Sequence, residues 1–226
     1  MPRDSFYCSS KCGSPKGDEL RQSLERSLTR LNVSTIDFFH IWCLLKPEQL
    51  AQRVAGGAIP AAIKAREEGL IRHLVVSAHL DGQGIEHALE AGYFEGITLG
   101  YNVLNFPFRA QGLAAAQRLH MGVVTMNPLG GGMIPKQAQR LAFIQGPQDT
   151  SVVQAALRFN VSHSAITCAL VGMGSIEEVD QAVEAVDQFQ PYPADHIEMI
   201  KSRIGKEFDV LHRLRLLACH ARPTST

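Results

Sequence analysis

The chain has 226 residues, 45% of them hydrophobic and 19% charged, with 22 Lys+Arg against 22 Asp+Glu. That length is ample for a buried core, and a formal charge of zero excludes the basic excess of a nucleic-acid binder. No apolar run reaches the ~18 residues of a membrane span or forms an N-terminal leader, and the five scattered cysteines suit reduced thiols, so a cytoplasmic location with no membrane or nucleic-acid partner is expected.

Ser5 to Ser10 reads as a short β-prone run ahead of a Gly-Ser-Pro turn. Asp18 opens a helix with Leu20, Leu24, Leu28 and Leu31 along one face. Ile36 to Leu45 is nearly all apolar and aromatic, the pattern of a parallel strand buried on both faces. A second helix runs through Pro60 to Arg66, with proline at its start and Gly69 at its end. Ile71 to Ser77 follows as a strand, then Gln83 to Ala91 as a helix closed by Gly92.

Gly96 to Tyr101 reads as a strand, Ala110 to Leu119 as a helix and Gly122 to Met126 as a strand. Asn127 to Asp149 is a long connection holding Gly130, Gly131 and Gly132 in a row. Thr150 to Phe159 is helical, Ala165 to Val171 a strand, Ile176 to Phe189 a helix, and Ala194 to about Leu217 a final helical segment. Strands alternating with helices signal βαβ units around a parallel sheet. Six such units and a C-terminal helix are predicted, where a closed (β/α)8 barrel needs eight and about 250 residues. The pattern alone fits an incomplete TIM barrel or a six-unit doubly wound sheet. No linker or low-complexity tract divides the chain, so one domain over 1–190 with a helical tail over 191–226 is expected.

Several segments decide between those architectures. Arg3 to Lys11, Leu24 to Leu31 with Thr35 to Phe39, Glu67 to Ser77, Tyr101-Asn102, Pro128 to Gly132, and Val171 to Ser175 stand in this order along the chain. Together they resemble the strand ends and loops of the aldo-keto reductases from the third barrel strand onward. The resemblance implies an incomplete TIM barrel of about six β-α units, and an oxidoreductase that reduces a small carbonyl substrate with NADH or NADPH. In the family a tyrosine donates the proton, a lysine beside it lowers its pKa, an aspartate pairs with the lysine and a histidine orients the carbonyl. Lys11 matches the lysine and Trp42 falls at the histidine position, with His40 two residues earlier. The tyrosine and aspartate belong to the first two units, which would precede residue 1. A catalytically inactive remnant that binds nucleotide or serves as an interaction scaffold is therefore the alternative, and open sheet edges predict self-association.

The resemblance assigns the cofactor side to Ser77, Asn102, Met126, Asn127, Leu129, Gly172, Gly174, Ser175 and Glu178. Ser77 matches a serine whose following asparagine is Ala78 here, and Met126 takes the place of an aromatic ring against nicotinamide. Gly172, Gly174 and Ser175 precede the helix at Ile176, a setting that favours phosphate. The family's Lys, Ser and Arg clamp for a 2′-phosphate maps to Gly172, Met173 and Glu178. A carboxylate there repels phosphate, so NAD is favoured over NADP. Gly130 to Gly132 is open to two readings, a phosphate loop or a flexible connection. Cys8 and Cys12 lack further ligands for a metal site, and none is expected. The branch of the family nearest in pattern carries four cysteines after the barrel for an iron-sulfur cluster. The corresponding Leu211 to Pro223 holds only Cys219, so no cluster is expected.

Overall fold

A computed structural model describes residues 2–187 and 189–205. The continuation of the last helix toward Leu217, Cys219 and the stretch Leu211 to Pro223 lie outside the described residues. The described chain divides into two compact units. Of the described residues, unit 1 takes 2–100 and 108–125, and unit 2 takes 101–107, 126–187 and 189–205.

Unit 1 opens with one 3-10 turn at Arg3–Ser5, then β1 (Ser9–Cys12), α1 (Gly17–Leu31), β2 (Ile36–Leu44), α2 (Glu48–Ala55), α3 (Ala58–Glu67), β3 (Ile71–Ala78), α4 (Gly82–Glu90) and β4 (Gly96–Gly100). Helix α5 (Phe106–Arg118) starts in unit 2 and leads into β5 (Gly122–Met126). The strands of unit 1 follow one another in chain order. The β1–β2, β2–β3 and β3–β4 ladders are parallel, with Lys11 opposite His40, His40 opposite Val75, and Ser77 opposite Thr98. Parallel neighbours require a crossover, and the intervening helices supply it.

The helices form where burial and capping agree. In α1, Asp18 and Glu19 complement the positive end of the helix dipole and Arg30 the negative end. Leu20 and Leu24 are fully buried. Leu28 is half-buried and Leu31 exposed, because the left-handed Asn32 ends the helix and turns the chain toward β2. Gly69 and Gly92 both have positive φ after their helices, as the turn after a helix end favours.

Several expectations are corrected. The first strand is not Ser5 to Ser10 but Ser9–Cys12, because Arg3–Ser5 coils into a turn whose arginine reaches the buried Asp37. Strand β2 is not buried on both faces throughout, for Trp42 is 44% exposed. It also bulges, since its register against β3 shifts between Ile41 and Leu44 and Cys43 adopts a φ of 64°. Helix α2 arises in a stretch that showed no separate element. Its buried side consists of Leu50 and Arg53, too short a stripe to stand out from the chain.

Unit 2 contains short helices α6 (Met133–Lys136) and α7 (Ala138–Leu141) inside what reads from sequence as a long connection. Then come α8 (Val152–Val161), β6 (Cys168–Leu170) and α9 (Ile176–Asp187), and residues 194–205 are helical. Tyr101 stacks on Phe159 with ring centroids 5.9 Å apart, and Phe106 meets Phe159 edge-on. Leu157, Ala182 and Ala185 bury the contact of α8 with α9, and Leu129, Val153 and Val171 pack against them. Arg158 pairs with the buried Asp149 at 3.2 Å, and the Tyr192 hydroxyl donates to the same carboxylate. Six strands alternating with helices give an α/β fold. No helix among the described residues is long and apolar enough to cross a membrane.

Candidate functional site

Two groups of residues stand at strand ends, one in each unit. In unit 1 the group forms where β1 and β2 finish. The Lys11 ammonium lies 4.7 Å from the centroid of the Trp42 ring, within the range of a cation–π contact. The indole rests against Gly13, where an added Cβ would meet Trp42 Cε3 at 3.1 Å. Ser77, buried in β3, accepts a 2.9 Å hydrogen bond from Cys43 N–H and so holds the bulge that follows Trp42.

His40 pairs in register with Lys11 but is engaged at both ring nitrogens. Nδ1 lies 3.2 Å from Ser9 Oγ and 3.3 Å from the Ser10 carbonyl, and Nε2 lies 3.1 Å from Thr98 Oγ1. Burial pushes its imidazole below the ordinary value and the Lys11 charge adds to that, against the Ser10 carbonyl. A neutral, fully partnered imidazole at this position serves the strand packing.

In unit 2 the residues after β5 and β6 surround a cavity of about 460 Å³. Asn127, Leu129, Gly172 and Glu178 all line it, together with Gly131 and Gly132. Gly130, Gly131 and Gly132 have φ of 62°, 65° and 85°, a left-handed run that glycine adopts without strain. An added Cβ at Gly131, Gly132 or Gly172 would meet nothing within 4 Å, so the backbone itself forms the cavity wall at these points.

Asn102 is buried and its side chain is spent on the loop. Its Nδ2 donates to the Asn127 carbonyl at 2.8 Å and its Oδ1 accepts from Leu104 N–H at 2.9 Å. Met126 accepts through its carbonyl from Tyr101 N–H and is not part of the cavity lining. At the start of α9, Ser175 Oγ accepts from Glu178 N–H at 3.3 Å, while Glu178 Oε2 accepts from Gly174 N–H at 2.6 Å. This reciprocal cap consumes donors that a helix start otherwise offers to an anion.

The structure thus joins Lys11 with Trp42, Asn102 with Asn127, and Gly174 and Ser175 with Glu178. Arg53 is a residue of the unit 1 group that sequence reasoning missed. Its Nη2 donates to the carbonyls of Gly13 and Trp42. The available signal was weak, an arginine three positions after Leu50 on the apolar side of an eight-residue helix.

The model of the Aldo/keto reductase family matches residues 1–204. L-galactose dehydrogenase of Arabidopsis thaliana is 21% identical over 225 residues, covering 86% of this chain and 68% of its own. The holo form of an aldo-keto reductase from Bacillus halodurans superposes with a TM-score of 0.73 at 20% identity, covering 88% of this chain and 72% of the other. An aldo-keto reductase from Klebsiella pneumoniae in complex with NADPH gives a TM-score of 0.69 at 20% identity, over 89% and 71%. These structural likenesses show a common barrel-type fold.

Proposed function

Because the chain belongs to the aldo/keto reductase family, we propose that it is an NADH-preferring oxidoreductase acting on the carbonyl of small aldehydes or ketones. The observation that carries this reading is the glycine-walled cavity of unit 2, lined by Asn127, Leu129, Gly172 and Glu178. A backbone wall at Gly131, Gly132 and Gly172 lets a bulky ligand approach closely, and the cavity volume lies in the range of cofactor sites. The residues present therefore fit a nicotinamide dinucleotide, which when bound supplies the hydride. Asn127, Leu129 and the glycines would hold it, with Asn102 bonded to the Asn127 carbonyl.

The preference for a free ribose hydroxyl rests on Glu178. Its carboxylate accepts Gly174 N–H, and a 2′-phosphate beside it would face like charge and an occupied donor. The family resemblance assigns Lys11 and Trp42 to the carbonyl side of the reaction. The lysine would supply positive charge where the carbonyl oxygen gains negative charge, solvent water beside the exposed Trp42 would give that oxygen the proton that completes the alcohol, and the indole, at the position of the family's histidine, would offer an apolar face in place of a hydrogen bond. Calorimetric titration with NADH and NADPH tests the nucleotide reading, with tighter binding of NADH expected. Equal affinities would remove the preference, and no binding of either would sink the oxidoreductase reading. NADH consumption with a panel of small aldehydes and ketones tests the carbonyl half.

A further inference from the structure

The bulged end of β2 is held from a helix that contributes little else to the core. Arg53 and Leu50 are the buried residues of α2, and Arg53 is 5% exposed. One nitrogen of its guanidinium, Nη2, donates to the Trp42 carbonyl at 2.7 Å and to the Gly13 carbonyl at 3.1 Å. The β1–β2 ladder records its last pair at Cys12 and Ile41, one residue before each of those carbonyls. Arg53 therefore bridges the two strands where the ladder ends. Its Nε is buried without a hydrogen-bond partner, a cost that pure packing would avoid with an apolar side chain.

Both clamped residues bear on the same pair. Gly13 is the surface on which the Trp42 indole rests, and Trp42 is the ring over which Lys11 lies. On the other side, Cys43 N–H is tied to Ser77. We propose that Arg53 is a positioning residue that sets the Trp42 indole beneath the Lys11 ammonium by clamping the carbonyls of Gly13 and Trp42. Its importance for turnover rests on the reductase reading above, but the clamp itself does not.

Trp42 is the single tryptophan of the chain, so its emission reports this geometry without cofactor or substrate. In Arg53→Met, whose side chain fills space but donates nothing, the emission is expected to move to longer wavelength and acrylamide quenching to rise. Arg53→Lys retains a buried cationic donor and is expected to restore part of both signals. Parental emission and quenching in a folded Arg53→Met would overturn the clamp. Should Arg53→Met lose the parental far-UV spectrum, Arg53→Lys decides, and emission and quenching identical to the parent would overturn the need for a guanidinium bridge. NADH consumption by the parent and Arg53→Met is then compared. A shift in emission with undiminished turnover would overturn the functional role, whereas a parent without turnover would count against the reductase reading and leave the fluorescence result standing.

Discussion

Asn102 Nδ2 donates a 2.8 Å hydrogen bond to the Asn127 carbonyl, joining the turn after β4 to the first residue of the glycine loop. Asn127 itself holds a φ of 55°, in the left-handed region that asparagine enters more readily than most side chains. Asn102→Ala removes one of two donors to that carbonyl, Gly130 N–H being the other, and leaves Leu104 N–H without its partner. A loss of about 2 kcal/mol in urea unfolding is expected. NADH affinity should fall with it, and retention of full affinity would detach Asn127 from the nucleotide.

Glu178 has a structural and an electrostatic consequence at once. Its carboxylate completes the cap of α9, a helix with Glu177, Asp180, Glu184 and Asp187 and no basic residue. Glu178→Lys exchanges repulsion of a 2′-phosphate for attraction. The ratio of NADPH to NADH affinity is expected to rise by about tenfold, equivalent to about 1.4 kcal/mol. An unchanged ratio in paired titrations would show that Glu178 caps the helix and nothing more.

Asp37 anchors the start of unit 1. The fully buried carboxylate accepts from Cys8 N–H at 2.7 Å and lies 2.5 Å from Arg3 Nη2 and 2.8 Å from Arg72 Nη1. Burial alone would raise its pKa, but Cys8 N–H and the two guanidinium groups together hold it below the usual carboxylate range. A carboxyl lowered by folding contributes stability above about pH 4, and that contribution is lost as pH falls through the folded value. Both arginines are partly solvated, so Asp37→Asn should cost about 2 kcal/mol at neutral pH rather than the larger penalty of a stranded buried charge. Urea titrations should show the gap between parent and variant closing below pH 4.

His40 and His163 make a second pH window. Burial lowers both imidazoles, assisted by Lys11 for His40 and by Lys201 for His163. Groups depressed in the folded state favour folding above the ordinary histidine value of about 6.5 and lose that contribution as pH falls below it. Melting temperature should therefore decline on acidification below pH 6.5, and His40→Gln should flatten part of the slope. Parallel profiles for parent and variant would exclude His40 as a source.

The order of the elements is legible in the sequence. Leu20 and Leu24 mark the buried face of α1, Gly69 and Gly92 punctuate helix ends, and the apolar run from Ile36 marks β2. These signals are local, because burial against one face imposes its own period on neighbouring residues. Motif resemblance also assigned Asn127, Leu129, Gly172 and Glu178 to the cofactor side, and the structure lines one cavity with these four. What the assigned side chains and their neighbours are engaged in was not legible. Asn102 is spent on the loop, Glu178 on its own helix start, and His40 on its neighbours.

Strand-helix alternation with the ordered motifs determined the architecture and the family. Tertiary structure alone decided that Trp42 is exposed beneath Lys11 on a bulged strand, and that Arg53 clamps it from a helix the periodicity did not announce. The reason is distance along the chain. Arg53 reaches Gly13 across 40 positions, and no pattern confined to a few residues encodes a contact that only the folded sheet brings together.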